Sequence, residues 1–223
     1  MLRPTADVLP AALAALLAAL GSAGRPAAAQ DPGAGTSATA SAPASWEFGF
    51  SGALYLQSGE DDFLQPTLRA DHGRLHLESR YNYEALRSAS FFAGARFEIG
   101  RKAKLALTPL IGGLVGETDG IVPALQVDLT VWRLEAYSEA EYVFGLGADS
   151  SSYLYTWSEL SLAPADGLRA GVVTQVTRVQ REANDFQAGL LVGFTYKKLD
   201  GTAYLFQPGG DDQSLVLSLG VSF

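Results

Sequence analysis

The sequence predicts an all-β chain, closed into a transmembrane antiparallel up-and-down β-barrel of about twelve strands. Three observations predict it. After residue 46 the apolar residues recur at every second position rather than at helical spacing. Aromatic residues gather at the ends of these segments with aliphatic residues between them, the layout of two interfacial girdles. When the segments are counted as antiparallel strands, their connections sort by charge into a basic, glycine-containing set and an acidic set.

The chain opens with Arg3, then the Ala- and Leu-rich run 9–20, then Ala27-Ala28-Ala29. A charged start, a short apolar core and an A-x-A site describe a secretory signal peptide of residues 1–29, cleaved near Ala29. The run is far shorter than the roughly 20 apolar residues of a spanning helix. Residues 30–45 are Ala, Ser, Gly, Thr and Pro with little charge, a composition that buries too little apolar surface to fold. They are expected to be a flexible leader, with the barrel at 46–223. The chain has no cysteine, which excludes disulfides, thiolate metal sites and an acylated lipoprotein N-terminus. A net charge of −8 argues against nucleic acid as a partner.

Strands are expected at 46–57, 63–71, 74–84, 89–100, 103–116, 121–132, 133–144, 152–163, 167–178, 185–197, 199–207 and 213–223. In 74–84, Arg74, His76, Glu78, Arg80, Asn82 and Glu84 fall on one face, with Leu75, Leu77, Ser79, Tyr81 and Tyr83 on the other. Segment 185–197 aligns Phe186, Ala188, Leu190, Val192, Phe194 and Tyr196, and 89–100 aligns Phe91, Ala93, Ala95, Phe97 and Ile99. A soluble sandwich core gains nothing by sorting aromatics to strand ends, whereas a lipid-facing wall does. The junction Trp132-Arg133 lacks turn residues, and the facing of 152–163 and 199–207 is ambiguous, so ten strands is the alternative count. Pro66, Pro109 and Pro123 each remove a ladder donor and are expected at strand ends or bulges.

With both termini periplasmic, the periplasmic turns Asp71-His72-Gly73, Gly100-Arg101-Lys102 and Lys198-Leu199-Asp200-Gly201 carry glycine and bases. The outer loops 58–62, 117–120 and 208–212 are mainly acidic and all short, so a folded constriction loop is not expected. The last strand places Leu215, Leu217, Leu219, Val221 and Phe223 on one face, with Ser214, Ser218, Gly220 and Ser222 opposite and Val216 as the exception. This ending resembles the terminal β-signal of bacterial outer-membrane β-barrel proteins. The resemblance implies Sec export to the outer membrane of a Gram-negative cell, insertion by the barrel assembly machinery, and contact with the lipid bilayer and lipopolysaccharide. It names no solute.

The polar face, taken as lumen, holds Arg69, Arg74, Glu78, Arg80, Arg96, Glu98, Asp128, Arg133, Glu135, Glu139, Glu141 and Arg169. Such a wall either sorts ions and small polar solutes as a charged eyelet or fills and stiffens a closed barrel. The sequence therefore points to a porin-like narrow passive channel, with a closed structural barrel as the alternative and an outer-membrane enzyme as a third class. Catalysis is not expected. The two histidines, His72 and His76, lie in a turn and on the lumen face, and neither suits a lipid-facing hydrolase triad. Glu139 and Glu141 share a strand face at a spacing that acid–base chemistry also uses, yet acids along a pore wall are common. No cofactor or metal site is expected, although the acidic loops have the chemistry to hold Ca²⁺ or Mg²⁺ loosely. An adhesin would carry longer, more aromatic loops.

Overall fold

The computed structural model describes residues 45–59, 61–147, 151–179 and 185–223. The segments read as signal peptide and leader lie outside them, apart from Ser45. The described strands are β1 (Trp46–Gln57), β2 (Phe63–His72), β3 (Leu75–Tyr81), β4 (Ser88–Ala95), β5 (Phe97–Ile99), β6 (Ala103–Gly116) and β7 (Gly120–Val131). They continue as β8 (Leu134–Gly145), β9 (Tyr153–Ala165), β10 (Leu168–Val179), β11 (Asp185–Tyr196), β12 (Leu199–Phe206) and β13 (Ser214–Ser222).

Sequential strands pair antiparallel, β1 pairs with β13, and β4 and β5 both pair with β6. The sheet therefore closes and leaves no edge, as lipid demands of a β-protein. β4 and β5 are one barrel strand. Gly94 opposes Leu110 and Phe97 opposes Leu107 in unbroken register, and the two pairs missing between them begin at Ala95, opposite Pro109 of β6, which has no N–H to give. That makes twelve strands around the wall, not ten.

The other two prolines also lie inside strands, at ladder gaps rather than at strand ends. Pro123 coincides with the missing pairs between Ile121↔Phe144 and Ala124↔Glu141. Pro66 sits where β2 loses its partner, because pairing with β3 begins only at Thr67↔Arg80.

Connections differ at the two ends. At the end holding Trp46 and Phe223, four of them are two-residue turns: Gly73-Arg74, Trp132-Arg133, Asp166-Gly167 and Lys197-Lys198. Trp132-Arg133 turns without glycine because Trp132 itself adopts φ 56°. Longer connections lie at the opposite end, among them 82–87, 117–119 and 207–213. In transmembrane barrels the short turns are periplasmic and the longer loops extracellular. The outward face carries Phe50, Leu54, Leu64, Leu68, Ile111, Leu125, Leu160, Val172, Leu190, Val192 and Leu219, all exposed, as expected of a wall solvated by hydrocarbon rather than water.

Candidate lumen constriction

The inward face begins where the alternation predicted it, but it is not uniformly hydrophilic. At its centre Arg80 of β3 is buried among four carboxylates. Its Nε donates to Glu78 Oε1 at 2.6 Å, its Nη2 to Glu139 Oε1 at 2.7 Å, and its Nη1 to Glu84 Oε1 at 3.3 Å and to Glu141. All five side chains of this cluster are 0% exposed. The guanidinium also lies over the rings of Tyr83 and Phe92, with Cζ 4.1 and 4.5 Å from their centroids. Tyr137 donates to Glu139 Oε2 at 2.7 Å, and Tyr83 reaches the same oxygen at 3.3 Å. On the β2 side, His76 bridges Asp71 Oδ1 at 2.7 Å and Glu78 Oε2 at 3.1 Å. The network thus ties β2 and β3 to β8 across the lumen.

Glu84 arrives here because β3 leaves the wall at Tyr81. Asn82 takes φ 56° and Arg87 φ 56°, and the intervening residues fold inward, burying Tyr83, Glu84 and Ala85. This short loop is a folded constriction, contrary to the expectation from loop length. Tyr83, assigned by alternation to the lipid face, lies in the lumen, because the strand period stops two residues earlier. The loop is held on both sides. Tyr153 Oη donates to Glu84 O at 2.6 Å, Gln65 Nε2 donates to Asn82 O at 2.6 Å, and Arg87 pairs with Glu117 at its outer edge.

Beside and beyond the charged cluster, toward the loop end, lies an aromatic layer. Trp157 packs edge-on against Tyr204 at 5.5 Å between ring centroids and tilted against Phe206 at 5.4 Å, and Tyr55 and Tyr155 are buried with them. This resolves the two strands whose facing was ambiguous: Tyr153, Tyr155, Trp157 and Glu159 of β9 and Thr202, Tyr204 and Phe206 of β12 point inward. Val216, the exception in the last strand, is fully buried in the same interior.

Toward the turn end the lumen is charged and partly open. Arg96 pairs with Asp128 at 3.0 Å and with Glu98 at 3.1 Å. Arg169 pairs with Glu159 at 2.8 Å and donates to Thr202 at 2.7 Å. Of the sequence-predicted wall residues, Glu78, Arg80, Glu139 and Glu141 converge at the waist, while Arg96, Glu98, Asp128, Glu135 and Arg169 form this vestibule. Arg74 and Arg133 do not line the lumen. Both sit exposed in tight turns, Arg74 with its guanidinium 5.4 Å from the Phe97 ring centroid. Leu215, Leu217, Leu219 and Val221 share the outward face of β13. Phe223 closes the seam with β1 through paired backbone hydrogen bonds to Phe48, both 2.9 Å.

No family model matches the chain, and no curated protein matches it by sequence. Solved structures do. A KdgM porin superposes with a TM-score of 0.55 at 12% identity, over 78% of this chain and 99% of its own. The same porin in complex with disordered oligogalacturonate gives 0.55 at 11%, over 78% and 98%. A NanC porin gives 0.50 at 7%, over 79% and 98%. At these identities the likeness is one of fold: the chain has the closed twelve-strand architecture of bacterial outer-membrane porins.

Proposed function

We propose that this chain is an integral outer-membrane barrel of the passive-channel type, closed at its waist in the state described, which passes only ions and small polar solutes and prefers cations. One observation carries the reading: the fully buried Arg80 spans the lumen among Glu78, Glu84, Glu139 and Glu141. A side chain so placed occupies the path. Any excursion that takes it aside leaves a ring with more carboxylates than guanidinium groups, and a ring of acids favours cations. The same surplus disfavours a polyanion such as the oligogalacturonate named with one structural neighbour. The porin neighbours agree with a channel rather than an enzyme. In the cell, the β-signal at Phe223 would be read by the barrel assembly machinery and the outward wall would meet phospholipid and lipopolysaccharide.

The aromatic layer around Trp157 favours a second reading, a closed structural barrel without transport. Conductance across planar bilayers separates the two. The channel reading expects brief, small cation-selective events from the refolded protein, and larger events when residues 83–86 are replaced by Gly-Ser-Gly. Replacing Glu135, Glu139 and Glu141 by Gln should move the reversal potential away from cation selectivity. Silence from both the full chain and the loop-shortened variant in every salt would leave the closed barrel as the function.

A further inference from the structure

The described tight turns and the three-residue connection Gly100-Arg101-Lys102 carry Arg74, Arg101, Lys102, Arg133, Lys197 and Lys198 against a single acid, Asp166. Six of the chain's 16 Lys and Arg residues are thus concentrated in these few positions of a protein whose net charge is −8. The loop end is the reverse, with Asp61, Asp62, Glu117, Asp119, Asp211 and Asp212 against Arg87 among the described loop residues. Nothing in the architecture requires this ring. Two-residue turns ask for left-handed backbone, which Gly or Asn supplies more readily than Lys197 at φ 57°.

A second observation repeats around the ring. At three of the turns the cation lies over an aromatic ring at the level where the wall leaves the membrane. Arg74 stands 5.4 Å from the Phe97 centroid, Arg133 5.7 Å from Trp132, and Lys197 5.2 Å from Tyr196. Trp132 is 84% exposed and Tyr196 63%, so each pair presents an amphipathic ring beside a cation. Aromatic rings of this kind sit at the headgroup level of a bilayer. Basic side chains beside a bilayer surface attract anionic lipid.

We propose that this ring is a binding surface for anionic phospholipid headgroups of the periplasmic leaflet, with Arg133 and Lys197 and their aromatic partners as its principal seats. The cation meets the phosphate while Trp132 and Tyr196 lie against the glycerol and upper acyl region. This holds whether or not the lumen conducts.

The test uses the refolded full chain in mixed micelles containing phosphatidylglycerol and phosphatidylcholine in equal amount, with retained lipid counted by native mass spectrometry. The change in tryptophan fluorescence that is lost in W132F follows the same titration. Phosphatidylglycerol should be retained on the order of tenfold over phosphatidylcholine at low salt. That preference should collapse near about 0.5 M salt, where screening is short-ranged. It should also collapse in the variant R74Q/R133Q/K197Q/K198Q and persist in R87Q at the opposite end. Heat-modifiable migration checks that each variant is folded, and the salt arm needs no variant. Equal retention of both lipids by the unsubstituted chain would overturn the proposal, as would a preference that survives the fourfold change. Displacement of the lipid by millimolar inorganic phosphate alone would show a free-anion site instead and overturn it too.

Discussion

Replacing Arg80 with Met keeps most of the side-chain volume and removes the guanidinium that hydrogen-bonds Glu78, Glu84, Glu139 and Glu141, leaving Arg69 and His76 beside Glu78 alone. Removing one partner of a buried ion pair typically costs about 3–5 kcal/mol, because the charge left behind stays desolvated. Here several carboxylates are stranded at once, and the stacking on Tyr83 and Phe92, at 4.1 and 4.5 Å, is lost as well. Such cation–π contacts add about 0.5–2 kcal/mol each. The loss should therefore reach at least about 3 kcal/mol. Denaturant unfolding of the protein refolded in vesicles measures it through tryptophan fluorescence, to which Trp157, packed against Tyr204 and Phe206, contributes. The origin of the cost is checked by R80M/E139Q/E141Q, in which two of the stranded charges are gone and much of the loss should be recovered. Groups in one network are expected to be strongly non-additive. If Arg80→Met unfolds within about 1 kcal/mol of the unsubstituted chain, below the range for a broken buried pair, the waist is hydrated and the lumen is not sealed there.

Three further outcomes follow from neighbouring contacts. Tyr153→Phe removes the donor that holds Glu84 O at 2.6 Å, and should cost about 1 kcal/mol by the same unfolding assay while raising proteolysis within 82–87. Gly112→Val places its Cβ 2.5 Å from the Phe92 ring, beneath the Arg80 guanidinium, so overpacking of about 1–3 kcal/mol is expected, together with a broadened unfolding transition. Phe223→Ala keeps the β13–β1 ladder but loses the ring stacked on Phe48 at 6.1 Å. It should lower the yield of heat-modifiable protein assembled in cells more than the yield refolded in detergent, and equal losses in both would argue against a recognition role.

The wall was legible because its period is unambiguous. Phe186, Ala188, Leu190, Val192, Phe194 and Tyr196 meet lipid on β11, and of the charged face of 74–84 His76, Glu78, Arg80 and Glu84 turn inward while Arg74 stays in the turn. Strand ends agree to within a few residues for the same reason: each break is either a turn or a loss of alternation. The interior was less legible. Periodicity assigns a face and not its contents, and on 152–163 and 199–207 it leaves even the face open. Trp157, Tyr204 and Phe206 occupy the inward phase of β9 and β12, whose outward phase mixes Leu154, Leu160, Leu162, Leu199 and Leu205 with Thr156, Ser158 and Ala203, so that both faces read as partly apolar. The infolding at Tyr83 had even less signal. Two left-handed residues at Asn82 and Arg87 produce it, and only Asn82 is a type that favours that backbone.

Barrel size explains why the interior needed such residues. Eight strands enclose a space that ordinary side chains fill, and sixteen or more leave an aqueous channel. Twelve strands lie between, too wide for Val and Leu from the wall to meet at the axis. This chain bridges the gap with its longest side chains, Arg80, Trp157, Tyr55, Tyr155 and Tyr204, and with a loop that brings Tyr83 and Glu84 in from the rim. An arginine is the one long side chain that reaches the axis and still satisfies carboxylates on several strands at once. Under the channel reading proposed above, the contacts that close the waist are largely ionic, and a movement of Arg80 away from Glu139 and Glu141 would expose acids along the path.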